Sequence, residues 1–188
     1  MADSNITKKA LALSLKSLME EREFSKISVM DICEKCNMNR KSFYYHFKDK
    51  YDLVNWIFDM ELHGIIEEEM PENIWELLEI LCHYFYRNKK FYRQALQIKG
   101  QNSFEEHFIE FLIPVMEIRM KEVLCDEDIK EFYINFCMDA FLGSVKRWIL
   151  NKKNVPPEEF MELLKSCVYM IEKIPEGKIG GYLWNDMD

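Results

Sequence analysis

Apolar residues recur along this chain at helical spacing from one end to the other, and no stretch shows the alternation of a half-buried strand. Leu11, Leu15 and Leu18 stand at i, i+4 and i+7 and predict an amphipathic helix over residues 6–21. Phe24, Ile27 and Val29 carry that apolar face across a break into a short helix over 29–35, and a second short helix follows over 40–47. Leu53, Ile57 and Met60, with Val54, Phe58 and Leu62 beside them, predict a longer helix opening after Asp49. Further on, Ile74, Leu77, Leu78, Leu81, Cys82 and Phe85 form one stripe, and Phe91, Tyr92 and Ala95 mark a short helix over 88–96. After a break at Gly100, Gln101 and Asn102, Ser103 begins a helix that carries Phe104, Phe108, Phe111, Leu112, Val115 and Met116 and is expected to kink at Pro114. Two helices over about 126–150 and 157–174, an antiparallel pair, complete the pattern.

The polar residues between the first stripes are more specific than the stripes. Ser28 followed by Asp31 is a capping box, and Asn39 is a second N-cap, so two helices of about two turns each are bounded on their N-terminal sides. Asn37 lies between them, one of the few residues other than glycine that tolerates a left-handed turn. Two short helices about a tight turn, the second roughly 12 Å long, suit a major groove about 12 Å wide. On the second helix Phe43 and Phe47 stand i, i+4 to anchor it, which leaves Arg40, Lys41, Ser42, Tyr44, Tyr45 and His46 to face outward, with Lys48 and Lys50 at its exit.

Charge strengthens that reading because it runs against the composition. The 188 residues carry a net charge of −8, yet residues 35–50 hold five Lys or Arg against one Asp, a local +4. Residues 1–60 balance at +1 and the remainder at −9, so an acidic body would be repelled from DNA everywhere except at the basic segment.

Residues 27–54 resemble the DNA-binding domain of the TetR family of bacterial transcription regulators. The family's motifs stand here as Ser28-Val29-Met30-Asp31-Ile32-Cys33, Cys36-Asn37-Met38-Asn39, Ser42-Phe43-Tyr44-Tyr45-His46-Phe47 and Lys48-Asp49-Lys50-Tyr51-Asp52-Leu53. Cys36 and Asn37 replace the usual Ala-Gly, and Arg40-Lys41 is a more basic opening than the family's. The resemblance implies a base-reading surface of Arg40, Lys41, Ser42, Tyr44, Tyr45 and His46, with phosphate contacts from Ser28, Tyr45, Lys48 and Lys50. It also implies a ligand signal passed to the reader through the helix after Asp49. The carboxy-terminal half is similar, more loosely, to a subgroup that includes regulators linked to dihydroxyacetone kinase operons, through Asn88-x-x-Phe91-Tyr92, Gly143-x-x-x-x-Trp148 and Pro156-Pro157-Glu158-Glu159.

The expected architecture is all-α, about nine helices. A three-helix helix-turn-helix domain occupies 1–50, a helical effector-binding and dimerisation domain 51–174, and a tail 175–188, either ordered arm or disordered. The helix over 126–150 is apolar on more than one face, and the next carries its own stripe. Phe136, Ala140, Gly143, Ser144 and Trp148, with Phe160, Leu164, Cys167, Val168 and Ile171, are accordingly expected to form a two-fold four-helix dimer interface, the competing reading being monomer core. Phe85, Tyr86, Phe91, Tyr92, Phe104, Phe108, Phe111 and Met116 are candidate walls of a ligand pocket, though aromatic stripes at this spacing also build plain core.

Other chemistry finds little support. Cys33 and Cys36 have redox or zinc spacing, but no second pair accompanies them, and the remaining cysteines sit on apolar faces as small hydrophobes. His63, His83 and His107 fall singly on separate helices. No enzyme, metal site or cofactor is expected. With a polar N-terminal stretch and no apolar run of membrane-spanning length, the expectation is a cytoplasmic protein without a membrane partner. The leading function is a dimeric transcription regulator, a repressor, on a palindromic operator of double-stranded DNA, controlled by a small-molecule effector or a sensor protein. The alternative is an interaction module or co-regulator whose carboxy-terminal domain docks the sensor.

Overall fold

The computed structural model describes residues 2–100, 103–120 and 127–172. Among them are nine α-helices, one 3-10 turn and no strand. The helices are α1 (Ala2–Glu21), α2 (Val29–Lys35), α3 (Arg40–His46), α4 (Lys50–Glu69), α5 (Ile74–Arg87), α6 (Lys89–Ala95), α7 (Phe104–Met120), α8 (Glu127–Leu150) and α9 (Pro157–Glu172), with the 3-10 turn Phe24–Lys26 between α1 and α2. The chain forms two compact units, one running to Asn154 and one beginning at Val155. Gln101, Asn102 and the tail from residue 175 lie outside the described residues.

In the first unit α1 to α3 fold on Leu11, Leu15, Ile32, Phe43 and Phe47, all buried, as the stripes require. Ser28 and Asp31 form both halves of the capping box, and Asn39 accepts from the Ser42 backbone N–H at 2.8 Å. Asn37 has φ of 54°, the left-handed turn expected of it. α1 begins at Ala2, four residues before the apolar stripe predicts, because the stripe reports only the buried part of the helix. α7 runs from Phe104 to Met120 with Pro114 inside it.

The body is organised around Phe58 of α4, which is fully buried. Its ring meets Phe104, Phe111 and Phe108 edge-on, at 5.3, 5.3 and 5.6 Å between centroids, and Phe85 at 6.3 Å. Edge-to-face pairs of this kind add to the stabilisation from area burial. His107 Nε2 lies 2.7 Å from Asp59 Oδ1, so α7 is also held to α4 by a polar contact. That hydrogen bond raises the pKa of His107 above the ordinary imidazole value, while partial burial opposes it.

Two sets of hydrogen bonds tie α1 to the body. In the first, Lys16 of α1 donates to Glu61 of α4 at 2.7 Å, and Glu61 accepts from the Tyr84 hydroxyl at 2.8 Å. The Tyr84 and Tyr92 hydroxyl oxygens are 2.6 Å apart; because Tyr84 gives its proton to the carboxylate, Tyr92 is the donor between them. Burial pushes both phenols upward, so they stay neutral. The second set centres on α6. Gln94 donates its amide to the Met19 carbonyl at 2.5 Å and the Arg22 carbonyl at 3.2 Å, and accepts from the Phe24 backbone N–H. Its neighbour Arg93 donates to the carbonyls of Ile149 and Asn151 at the end of α8, each at 2.7 Å.

Candidate nucleic-acid interface

The outward face of α3 follows from its shortness. Seven residues make two turns, Phe43 and Phe47 turn one side inward, and the remaining positions meet solvent. Tyr45 is 82% exposed and Tyr44 49%, values that packing residues would not show. Arg40 and Lys41 are exposed, while Ser42 and His46 are half-buried. Ser42 donates its hydroxyl to Asn39 at 3.2 Å, and His46 lies edge-on to Tyr45 at 4.8 Å.

Arg40 and Tyr44 form a pair one helical turn apart. The guanidinium Nη2 donates to the tyrosine hydroxyl at 3.3 Å, and its carbon sits 5.6 Å from the ring centroid. Tyr44 in turn stands edge-on against the buried Phe43 at 5.5 Å. The first turn of the helix thus presents a guanidinium held against an aromatic ring. Ser28 is exposed at the start of α2, its hydroxyl donating to Asp31 at 2.6 Å, and that bond holds the Asp31 carboxyl below the usual range. The Lys48 side chain is exposed, and its backbone N–H donates to Asp52 at 2.9 Å.

Lys50 departs from the sequence expectation of a phosphate contact. Its ammonium donates to the carbonyls of Phe24 and Ile27, each at 2.7 Å, and lies 4.4 Å from the Phe24 ring centroid. Desolvation lowers its pKa. The side chain ties α4 to the link between α1 and α2, giving the Ile27 carbonyl a donor and the Phe24 carbonyl a second one beside the Ile27 N–H. Lys35 pairs with Glu21 at 2.9 Å. Of the five cations in the basic segment, Arg40, Lys41 and Lys48 therefore point their charge outward. Sequence reasoning missed Lys8, whose ammonium lies 5.8 and 5.6 Å from the Phe47 and Trp56 rings, beside the end of α3. Its position one turn before Leu11 on the same face of α1 was the available signal.

The candidate pocket walls of the body lie among its packed side chains. Phe85, Phe91, Tyr92, Phe104, Phe108 and Met116 are buried, and Tyr86 and Phe111 half-buried; Phe85, Phe104, Phe108 and Phe111 pack on Phe58, Phe91 on Tyr92, and Tyr86 on Trp148. A cleft of about 380 Å³ lies elsewhere, lined by Ile65 and Glu69 of α4, Pro71 of the turn, and Glu76, Glu79, Ile80, His83, Tyr84 and Arg87 of α5. Periodicity marks a buried stripe but not whether the space between stripes is filled.

On α8 Phe136 is 57% exposed and Ala140 is exposed; Gly143 and Ser144 are half-buried. A Cβ at Gly143 would meet only the end of Arg147. Trp148 is buried, stacked on Tyr86 at 5.8 Å, so its ring is occupied inside the protomer and unavailable to the expected dimer interface. In the second unit Phe160 is also buried, Leu164 is half-buried, and Cys167 and Val168 are exposed; the side chain of Ile171 is outside the described residues.

A capped pair of short helices about a left-handed turn, with a cationic and aromatic outer face and a helical body behind it, defines a DNA-binding protein of the helix-turn-helix class. Residues 15–57 match the model of bacterial regulatory proteins of the tetR family, and residues 72–169 match a transcriptional regulator C-terminal region. The chain belongs to the TetR family of transcription regulators. It is 30% identical over 135 residues to the HTH-type dhaKLM operon transcriptional activator DhaS of Lactococcus lactis, a span covering 71% of this chain and 68% of that one. Two solved structures share the fold. One is the dihydroxyacetone kinase operon activator DhaS, at TM-score 0.61 and 22% identity over 90% of this chain and 98% of that one. The other is NalD of Pseudomonas aeruginosa, described as the secondary repressor of a multidrug efflux pump, at TM-score 0.65 and 16% identity over 89% and 96%. Among the described residues no helix is long and apolar enough to cross a membrane.

Proposed function

We propose that this DNA-binding regulator reads a palindromic operator as a homodimer, with residues 1–50 on the DNA and residues 51–174 setting the affinity in response to a ligand. The observation that carries the reading is the outer face of α3, where Arg40, Lys41, Tyr44 and Tyr45 are exposed beside a buried anchor of Phe43 and Phe47. Arg40 and Tyr44 read base edges, and Lys48 and Ser28 lie along the phosphates. Phe136 and Ala140 of α8 are covered by a second copy, as are Cys167 and Val168 of α9, and the two readers then stand one helical turn of DNA apart, about 34 Å, or a multiple of it. Bound so as to exclude polymerase, the dimer represses.

A second reading has the body dock a sensor protein and the complex activate transcription. Ile129, Phe132, Tyr133 and Phe136 form an exposed apolar row on α8, and a relative is named an activator.

Selection from a random duplex library with the purified protein tests the first reading, run in parallel with Tyr44→Ala. The expected result is an enriched palindrome that the variant fails to enrich. No enrichment by the protein alone moves the assignment to the second reading, and a reporter placed behind the selected site gives the sign of regulation.

A further inference from the structure

We propose that the cleft between α4 and α5 is a binding site for a small organic monocation with an apolar body, and that Tyr84 passes its occupancy to α1. The proposal deepens the ligand-controlled reading above and rests on it for the DNA response, but not for binding.

The cleft's volume of about 380 Å³ lies within the range of small-molecule sites. Its chemistry is graded along α5. Glu76, Glu79, Ile80, His83 and Arg87 follow one stripe of the helix, about 16 Å from first to last. Glu69 and Pro71 flank the end nearest the α4–α5 turn, and Ile65 stands opposite the middle. Three carboxylates therefore gather at one end, Ile65, Ile80 and the Tyr84 ring at the centre, and the His83 imidazole and the Arg87 guanidinium toward the other end.

The carboxylates are not equivalent. Glu76 is consumed by the start of α5, accepting from the Glu72 backbone N–H and the Asn73 amide, each at 2.7 Å. Glu69 and Glu79 make no hydrogen bond or ion pair among the described residues. Two anions bordering one space favour a cation between them. Ile65, Ile80 and the Tyr84 ring then require a ligand with apolar surface, which a bare metal ion lacks. Arg87 repels a second positive charge at the far end, so a monocation is preferred to a diamine of equal length.

Tyr84 belongs to two structures at once. Its ring lines the cleft, and its hydroxyl donates to Glu61, which also holds Lys16 of α1. A ligand that shifts the ring alters the position of the Glu61 carboxylate, and with it a hydrogen bond to the first helix of the reader.

The test uses the full-length protein and hexylammonium as probe, with hexanoate and 1,6-diaminohexane as charge controls, by calorimetry and by chemical-shift changes. Hexylammonium is expected to bind saturably and to lose about tenfold or more in affinity in Glu69→Gln/Glu79→Gln, one exposed and one half-buried position with no side-chain partner to lose, with thermal melts of the variant checking the fold. Hexanoate is expected not to bind, and 1,6-diaminohexane to bind more weakly until Arg87→Gln restores it. Absence of saturable hexylammonium binding, or equal affinity in the double variant, overturns the site; a tighter diamine overturns the role of Arg87. Transmission is read separately, as the change in operator affinity at saturating hexylammonium. That change is expected in the wild type and absent in Tyr84→Phe, which keeps the cleft wall and still binds the probe. An unchanged operator affinity in the wild type, or the same response in Tyr84→Phe, overturns transmission through Tyr84. Because the binding arm contains no DNA, failure of the cleft and failure of the operator reading are distinguishable.

Discussion

Tyr44 and Tyr45 on α3 stand out into solvent, whereas Tyr92 on α6 is fully buried and Tyr84 on α5 shows only an edge to the cleft, their hydroxyls paired inside. The residue type is the same and the surroundings decide its use. α3 is fixed on one side only by two phenylalanines, so its other positions have no partner inside the chain and act on whatever approaches from outside. The inward faces of α5 and α6 pack on the other helices, and a phenol buried there must find its hydrogen bond internally. The lysines repeat the lesson, since Lys48 is exposed while Lys50, two residues on, is spent on two backbone carbonyls.

The largest effect that tests this contrast lies at its centre. Phe58→Ala removes the ring against which Tyr84, Phe85, Phe104, His107, Phe108 and Phe111 pack and is expected to cost about 3–5 kcal/mol, while Tyr45→Ala changes stability by no more than about 0.5 kcal/mol; denaturant melts of both compare them directly. Next is the lysine pair. Lys50→Met leaves the Ile27 carbonyl without that donor and the Phe24 carbonyl with only the Ile27 N–H, and is expected to cost about 1.5–3 kcal/mol of stability, with the salt dependence of DNA binding unchanged. Lys48→Ala is expected to do the reverse, lowering the salt slope by about one unit at little cost to stability. A lowered slope in Lys50→Met would show that its ammonium leaves the carbonyls for phosphate on binding.

The Arg40–Tyr44 pair gives a change of similar or smaller size. Arginine read against a base edge favours guanine, so Arg40→Ala is expected to lose about 1–3 kcal/mol on the selected operator and to relax one guanine position in each half-site. Tyr44→Phe keeps the ring but drops the hydroxyl, and it should relax the same position by less. The smallest effect is at His107. Its pKa is raised in the folded state, so its contact with Asp59 contributes stability that is fully present below the unfolded value of 6.5 and is lost as pH rises through the folded one. The melting-temperature gap between wild type and His107→Gln should therefore be widest in acid and close in alkali.

The helix-turn-helix could be read from the chain because its geometry is local. Ser28, Asp31, Asn37 and Asn39 satisfy or break backbone hydrogen bonds within four residues of themselves, so their identity is enough to place them. The internal partners of Lys50 could not be read for the opposite reason. Its partners, Phe24 and Ile27, lie more than twenty positions away, and nothing in a lysine distinguishes an ammonium aimed at phosphate from one aimed at a carbonyl. The body showed the same limit. Every aromatic stripe from Phe85 to Met116 became helix and core, but which helices would leave a gap depended on how they met, and the gap opened beside Glu69, Glu79 and Arg87, residues that a search for apolar walls passes over.

The two consecutive side chains of α6 have a kinematic consequence. Gln94 holds the end of α1 and Arg93 the end of α8, through backbone carbonyls and not through side chains. Their Cα atoms are about 3.8 Å apart, a distance fixed by one peptide unit. The reader's first helix and the longest described helix of the body thus share a crosslink whose two grips start from adjacent residues. A displacement of either helix end must be followed by the other or must break hydrogen bonds, so α6 acts as a pin joint between two long levers. Because the grip is on main-chain oxygens, it survives changes of sequence at Met19, Arg22, Ile149 or Asn151, and the linkage can be tuned only at the pin.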